Sequence, residues 1–163
     1  MPTPQELEQR FWKALKSDMT MMVGLVGVDD GHSRPLTAQM EGNEAGPIWF
    51  FTAKNSSLVH QITGAKPSRA VATFVSKKHD LFADVHGELR IDNDRRVIDA
   101  LWNPFIAAWY EGGKDDPNIT LLRFEPDKAE IWLDASSILA GIKILLGADP
   151  KQEYRDNVAK VRM

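Results

Sequence analysis

Apolar residues recur along the 163-residue chain with two periods, one helical and one alternating, and the switches between them mark the elements. Leu7, Phe11 and Leu15 fall at i, i+4 and i+8, a single helical stripe. Thr3 or Pro4 opens this helix, Glu6 and Glu8 sit near its positive end, and Ser17-Asp18 closes it. Met19 to Val28 is rich in β-formers and runs into Asp29-Asp30-Gly31, a hairpin-type turn. Arg34 to Met40 pairs next, with Leu36, Ala38 and Met40 on one face and Pro35, Thr37 and Gln39 on the other. Glu41 to Pro47 reads as a loop. Ile48 to Thr52 is a strand with Trp49 and Phe51 on one face and Ile48, Phe50 and Thr52 on the other. Ser56 suits the N-cap of a helix reaching about Thr63, which Lys66-Pro67 stops.

Two further strands, Arg69 to Val75 and Leu81 to Ile91, flank a solvated S-K-K-H-D link. The second alternates: Leu81, Ala83, Val85, Leu89 and Ile91 face one way, Asp84, His86, Glu88 and Arg90 the other. Asn93-Asp94 caps a helix carrying Val97, Ile98, Leu101 and Trp102, which Pro104 interrupts before P-F-I-A-A-W-Y restarts it. Ile119 to Phe124 and Ala129 to Leu133 read as two strands around a turn at Pro126-Asp127. Ser136 to Leu146 suits a closing amphipathic helix, and the charged residues from Pro150 onward are expected to hang free. The pattern therefore predicts a mainly β fold with flanking helices: six to seven short, mostly antiparallel strands in a small barrel with helical lids. One domain over 1–163 is expected, with barrel and helices in 1–134 and a helix and tail in 135–163.

Composition narrows the function. A net charge of -3 speaks against a nucleic-acid partner. With no cysteine, thiolate catalysis, thiolate metal sites and disulfides are excluded. The polar, acidic start is unlike a signal peptide, and the longest apolar run, Ile138 to Leu146, is broken by Gly141 and Lys143, too short to span a bilayer. No membrane association and, by default, a cytoplasmic location are expected. His86 and Glu88 share a strand face, but no third ligand stands at usable spacing, so no metal site is expected. No nucleophile-elbow, phosphate-loop or dinucleotide glycine motif occurs.

The candidate chemistry lies between Ser33 and Leu58. Arg34 opens a strand, where its guanidinium can fork onto a phosphate. Ser56-Ser57 sets hydroxyls and free backbone N–H groups at a helix start, and Lys54 is one more donor. Taken singly, Arg34 is a surface arginine and Ser56 a plain N-cap. Together they read as an anion site beside a flat apolar strand. Trp49, Phe50 and Phe51 are simplest as core. The cluster Trp102, Phe105, Trp109 and Tyr110 is likewise simplest as core, but five tryptophans exceed what a small core needs, which points some of them to a subunit interface or ligand wall.

These pieces resemble the flavin-binding split-barrel proteins related to pyridoxamine 5'-phosphate oxidase, and among them the general-stress-protein-26 branch. The resemblance rests on R-P-L-T-A-Q (34–39), I-W-F-F-T (48–52) with N-S-S after it, H-G-E-L-R-I-D (86–92) and D-R-R-V-I-D-A-L-W-N-P. W-Y-E-G-G-K-D-D-P and L-L-R-F-E-P-D-K-A-E-I-W-L-D extend it nearly to Asp134. It implies a homodimer holding FMN, rather than FAD, in clefts between subunits. Arg34 would face the phosphate, with Pro35, Leu36, Thr37 and Gln39 running along the flavin. Phe51, Thr52, Lys54, Ser56, Ser57 and Trp132 would complete the cofactor site. Three departures stand out. Ser57-Leu58 replaces the oxidases' Arg-Lys pair, Gln39 replaces a lysine, and the arginine and histidine expected after Trp132 are missing. They argue against pyridoxamine-phosphate oxidase activity. The implied function is a flavin-dependent oxidoreductase, using NAD(P)H or another small molecule and with no obligatory acid or base among its residues. The alternatives are a non-catalytic flavin-binding or sensing stress protein, and a split-barrel dimer for another planar ligand or a protein partner.

Overall fold

The computed structural model describes residues 2–42, 45–62, 66–134 and 158–163. Helix α1 (Pro4–Asp18) starts at a reciprocal cap: the Thr3 hydroxyl accepts the Glu6 N–H, and the Glu6 carboxylate accepts the Thr3 N–H. Its apolar stripe buries Leu7, Phe11 and Leu15, and Trp12 beside them. Phe11 meets the edge of Phe74 at 6.0 Å, so α1 packs onto the barrel core. Each such burial contributes about 1.5–3 kcal/mol.

Seven strands follow: β1 (Thr20–Leu25), β2 (Arg34–Gln39), β3 (Ile48–Ala53), β4 (Ser68–Val75), β5 (Leu81–Ile91), β6 (Ile119–Leu133) and β7 (Val158–Arg162). They pair antiparallel in the order β3-β2-β1-β4-β5-β6-β7, and a β3–β6 pairing closes the first six into a barrel. The mainly β prediction holds. Between the strands sit three short helices, α2 (Ser57–Gln61), α3 (Arg95–Leu101) and α4 (Pro104–Ala107). Ser56, Asp94 and Asn103 cap them, each accepting backbone N–H groups of the first turn. Asn93 accepts the Leu121 N–H at 2.7 Å instead, pinning the start of α3 to β6.

Two readings are corrected. Ile119 to Leu133 is one strand, not two around a turn. Pro126 has no N–H to give a ladder, and the chain absorbs it in a register shift at His86/Gly87, where Gly87 stands opposite Pro126. While one edge of β6 pairs with β5, the other thereby serves two strands in turn, β3 along Ile119–Phe124 and β7 along Lys128–Trp132. Second, Val158–Arg162 does not hang free. Its V-A-K-V-R alternation buries Ala159 and Val161 and pairs with β6. Ile91 shares the face of Leu89 but ends β5, where it is 40% exposed. The helix expected over Ser136–Leu146 lies outside the described residues, as does Thr63, the expected end of α2, which closes at Gln61.

The apolar side chains form two clusters. Ile48, Phe50, Ala38 and the inward positions of β1, β4, β5 and β6 fill the barrel with α1. On the outer side, Trp49 and Leu121 pack with Val97, Ile98, Ile106, Tyr110 and Ile119, so the second cluster binds α3 and α4 to the barrel wall. The alternation in β3 is the reason: Trp49 points away from the barrel interior that Ile48 and Phe50 fill. Among the described residues, no helix is long and apolar enough to cross a membrane.

Candidate functional site

Where the outer cluster meets β2, the surface opens into a cleft of about 390 Å³. Pro35, Leu36, Thr37 and Gln39 of β2 and Phe51, Thr52 and Ala53 of β3 form one side. Phe105, Ile106, Trp109 and Tyr110, on and after α4, form the opposite wall, and Asn118 stands at the start of β6. The walls are mostly apolar, the usual build of a small-molecule site. Phe105 and Trp109, one helical turn apart, are 85% and 84% exposed, so they stand at the mouth rather than in the packed wall.

Tyr110 ties the wall to the floor. Its hydroxyl donates to the Thr52 carbonyl at 2.7 Å, and Trp102 lies between Tyr110 and Phe51, at 6.1 Å and 6.3 Å between ring centroids. Burial, aided by the charge of Asp116, pushes the Tyr110 phenol up to about 12. Asp116 accepts the N–H groups of Asn118 and Gly112, which hold its carboxyl below the usual carboxylate range and shape the loop leading to Asn118. A phenol whose folded-state pKa is raised stabilises the fold fully below its unfolded value near 10. That contribution is lost as pH rises through 12. Tyr110→Phe is therefore expected to lose about 1 kcal/mol at neutral pH. It should also lose part of the alkaline fall in stability between those values, as read by urea unfolding at several pH values.

The structure gathers Pro35, Leu36, Thr37, Gln39, Phe51 and Thr52 on the cleft. Arg34, Lys54, Ser56 and Ser57 lie beside it without lining it. The Thr52 hydroxyl donates to the Ser56 hydroxyl at 3.4 Å, and Ser56 in turn accepts the Val59 N–H. Arg34 reaches α2 from β2, its guanidinium 3.4 Å from Gln61 Oε1 and 3.4 Å from the His32 carbonyl. The guanidinium thus rests against the same short helix that Ser56 caps. Lys54 and Ser57 are exposed. Trp132 is elsewhere: it pairs with Phe82 and Val158 near the far end of β6 from Asn118, so it does not approach this chain's own cleft.

The wall residues Phe105 and Trp109 were visible only as an aromatic surplus. Tyr110 was visible only as a member of the same aromatic cluster, and Ala53, Ile106 and Asn118 carry no local mark of a site. Another cleft, of about 410 Å³, lies across β5, β6 and β7 between Asp84, His86, Lys128, Glu130, Lys160 and Arg162. It has mixed charge and no aromatic wall, which leaves the first cleft as the candidate for a planar ligand. His86 pairs with Asp84 at 3.3 Å, and among the described residues no three metal-ligating groups converge.

Comparison with known proteins bears on this geometry. The sequence profile described as "Pyridoxamine 5'-phosphate oxidase like" matches residues 6–155. The chain belongs to the pyridoxamine 5'-phosphate oxidase-like family. Within it, the chain is 35% identical over 124 residues to general stress protein 26 of Bacillus subtilis (strain 168), covering 76% of this chain and 86% of that protein. A general stress family protein from Xanthomonas campestris pv. campestris has the same fold, with a TM-score of 0.79 at 57% identity over 84% of this chain and 93% of its own. The general stress FMN/FAD binding protein of Xanthomonas citri superposes with a TM-score of 0.77 at 56% identity, over 82% and 92% of the two chains. A general stress protein 26 from Jannaschia sp. CCS1 covers 99% of this chain and 100% of its own at 28% identity, with a TM-score of 0.80. The closed barrel with β7 added beside β6 is therefore the family's split barrel.

Proposed function

We propose that the chain binds FMN, in preference to FAD, in the β2–α4 cleft and works as a flavin-dependent oxidoreductase. The observation that carries this reading is the cleft itself. It joins an apolar strand floor and an aromatic wall to a neighbouring cluster of Arg34, Thr52 and Ser56, which suits a flat ring with a phosphate at one end. The Xanthomonas citri relative, named for FMN/FAD binding, supports it. The residues fit the cofactor. Pro35, Leu36, Thr37, Gln39, Phe51 and Thr52 would hold the ring, while Arg34 and the hydroxyls of Ser56 and Ser57, with Lys54 nearby, would hold the phosphate. FMN, when bound, supplies hydride or electron transfer. The chain's part is to exclude water with Phe51, Phe105 and Trp109, and to fix the floor through the Tyr110–Thr52 bond.

The working form in this reading is a homodimer with flavin at the subunit interface. A second copy is what would bring a Trp132 to the cleft. The exposed Phe105, Trp109 and Phe82 supply apolar surface for such an interface. Purified protein is expected to show a yellow flavin spectrum, with heat-released FMN. Flavin and dimer should be lost together on gel filtration at falling concentration. A monomer that keeps its full flavin would exclude a shared cleft, and a colourless protein that takes up no flavin would point to another planar ligand or a protein partner.

A second reading, flavin binding without turnover, is favoured by one observation. Among the described residues, Tyr110 is the sole titratable one lining the cleft, and its phenol is held protonated. Anaerobic mixing with NADH or NADPH separates the two: bleaching at a catalytic rate marks an oxidoreductase that takes reducing equivalents from a nicotinamide, and no bleaching favours a binding role.

A further inference from the structure

We propose that the charged cleft across β5, β6 and β7 binds a phosphorylated polyol, with the phosphate on one row of side chains and the hydroxyls on the next. None of its lining residues belongs to the β2–α4 cleft, so it stands or falls apart from the flavin reading. Asp84 and His86 of β5, Lys128 and Glu130 of β6, and Lys160 and Arg162 of β7 line its volume of about 410 Å³. Strand register sorts these charged side chains into rows that cross the sheet. In one row His86 stands opposite Lys128, and Lys128 opposite Arg162. In the next, Asp84 stands opposite Glu130, and Glu130 opposite Lys160. Their strand neighbours Val85, Ala129 and Val161 are buried in the barrel core, which leaves both rows on the outer face.

Like charges directly opposite one another weaken a sheet, and each row holds such a pair, Lys128 with Arg162 and Asp84 with Glu130. Among the described ion pairs, no carboxylate serves Lys128, Lys160 or Arg162, and no cation serves Glu130. Asp127, next to Lys128 in the chain, is taken by both terminal nitrogens of the Arg69 guanidinium. Asp84 meets His86 at 3.3 Å. The basic row therefore offers a lysine and an arginine side by side, the usual charge-assisted partners of a phosphate.

The acidic row repels a bare anion and accepts only protons from its ligand. Lys160 in that row disfavours an ammonium group there, so hydroxyls are the donors that fit. Rows on one face lie two residues apart, about 7 Å along a strand. A phosphate ester with hydroxyls at that reach satisfies both rows. Inorganic phosphate satisfies only the first, and an uncharged polyol only the second.

Calorimetric titration of the full chain with ribose 5-phosphate, inorganic phosphate and ribose tests the site. Ribose 5-phosphate is expected to bind about tenfold tighter than either fragment, or better. Arg162→Gln should weaken ribose 5-phosphate and inorganic phosphate alike, by about tenfold. Glu130→Gln should split them: ribose 5-phosphate weakens about fivefold, while inorganic phosphate tightens because a repelling charge is gone. AMP distinguishes two sources of the same chemistry. Affinity equal to that of ribose 5-phosphate assigns the site to nucleotides, and weaker binding assigns it to free sugar phosphates. Ribose 5-phosphate that binds no better than inorganic phosphate would reduce the cleft to a basic patch and overturn the inference. A Glu130→Gln protein that binds both more tightly would overturn it too, and neither result touches flavin binding.

Discussion

Arg34→Ala is expected to raise the FMN dissociation constant by roughly 10- to 100-fold while changing riboflavin affinity little, as measured by fluorescence titration of both ligands. The reason is the placement of the guanidinium. It leaves the first residue of β2 and makes two long contacts of 3.4 Å, one to the Gln61 side chain at the end of α2 and one to the His32 carbonyl just before β2. No carboxylate is paired with it among the described ion pairs, so its charge is available to an incoming phosphate. Riboflavin has no phosphate and serves as the internal control. Equal weakening of both ligands would mean that Arg34 supports the cleft floor instead.

Gly87→Ala is the substitution expected to harm the fold most. A Cβ at position 87 would run into the Glu125 carbonyl oxygen and come within 2.9 Å of the Pro126 Cα. Both obstacles are backbone atoms of β6, and no side chain can rotate aside. Relief requires β5 and β6 to separate at the bulge, along a pairing that spans Leu81–Ile91. The expected loss is about 3 kcal/mol, the upper end for overpacking, or roughly 6–12 °C in melting temperature for a chain of this size. Differential scanning calorimetry of both proteins reads it directly. A change below 1 °C would show that the strands slip past the obstruction, contrary to the close approach of β5 and β6 at this point.

What the sequence made legible follows from which forces are local. The stripe of α1 and the alternation of β5 each carry their own period, so both elements stand where the pattern put them. The caps at Thr3, Ser56 and Asp94 were equally readable, because a cap is a contact between near neighbours. Pro126-Asp127 misled for the same reason. Locally it resembles a turn, and only the partner Gly87, distant in sequence, makes it a bulge within one strand. The β7 residues looked like a solvated tail because Lys160 and Arg162 dominate their composition, although Ala159 and Val161 face inward.

The candidate site divides along the same line. The strand alternation in β2 and β3 showed which residues shared faces, and it brought most of the cleft floor into view. The wall showed only as an aromatic cluster, with nothing to say what it faces. Tyr110 meets Thr52 across 58 residues of chain, and nothing near either residue announces the bond. Trp132 came from family resemblance alone, and one copy of the chain gives it no route to the cleft.

Because the aliphatic and aromatic side chains divide into an inner and an outer group, loosening one need not melt the other. The segment carrying Phe105 and Trp109 is anchored by the outer group. Natural variation there can reshape the mouth of the cleft at little risk to the closed ring of strands. A lineage could thus exchange one guest molecule for another while its scaffold stays put.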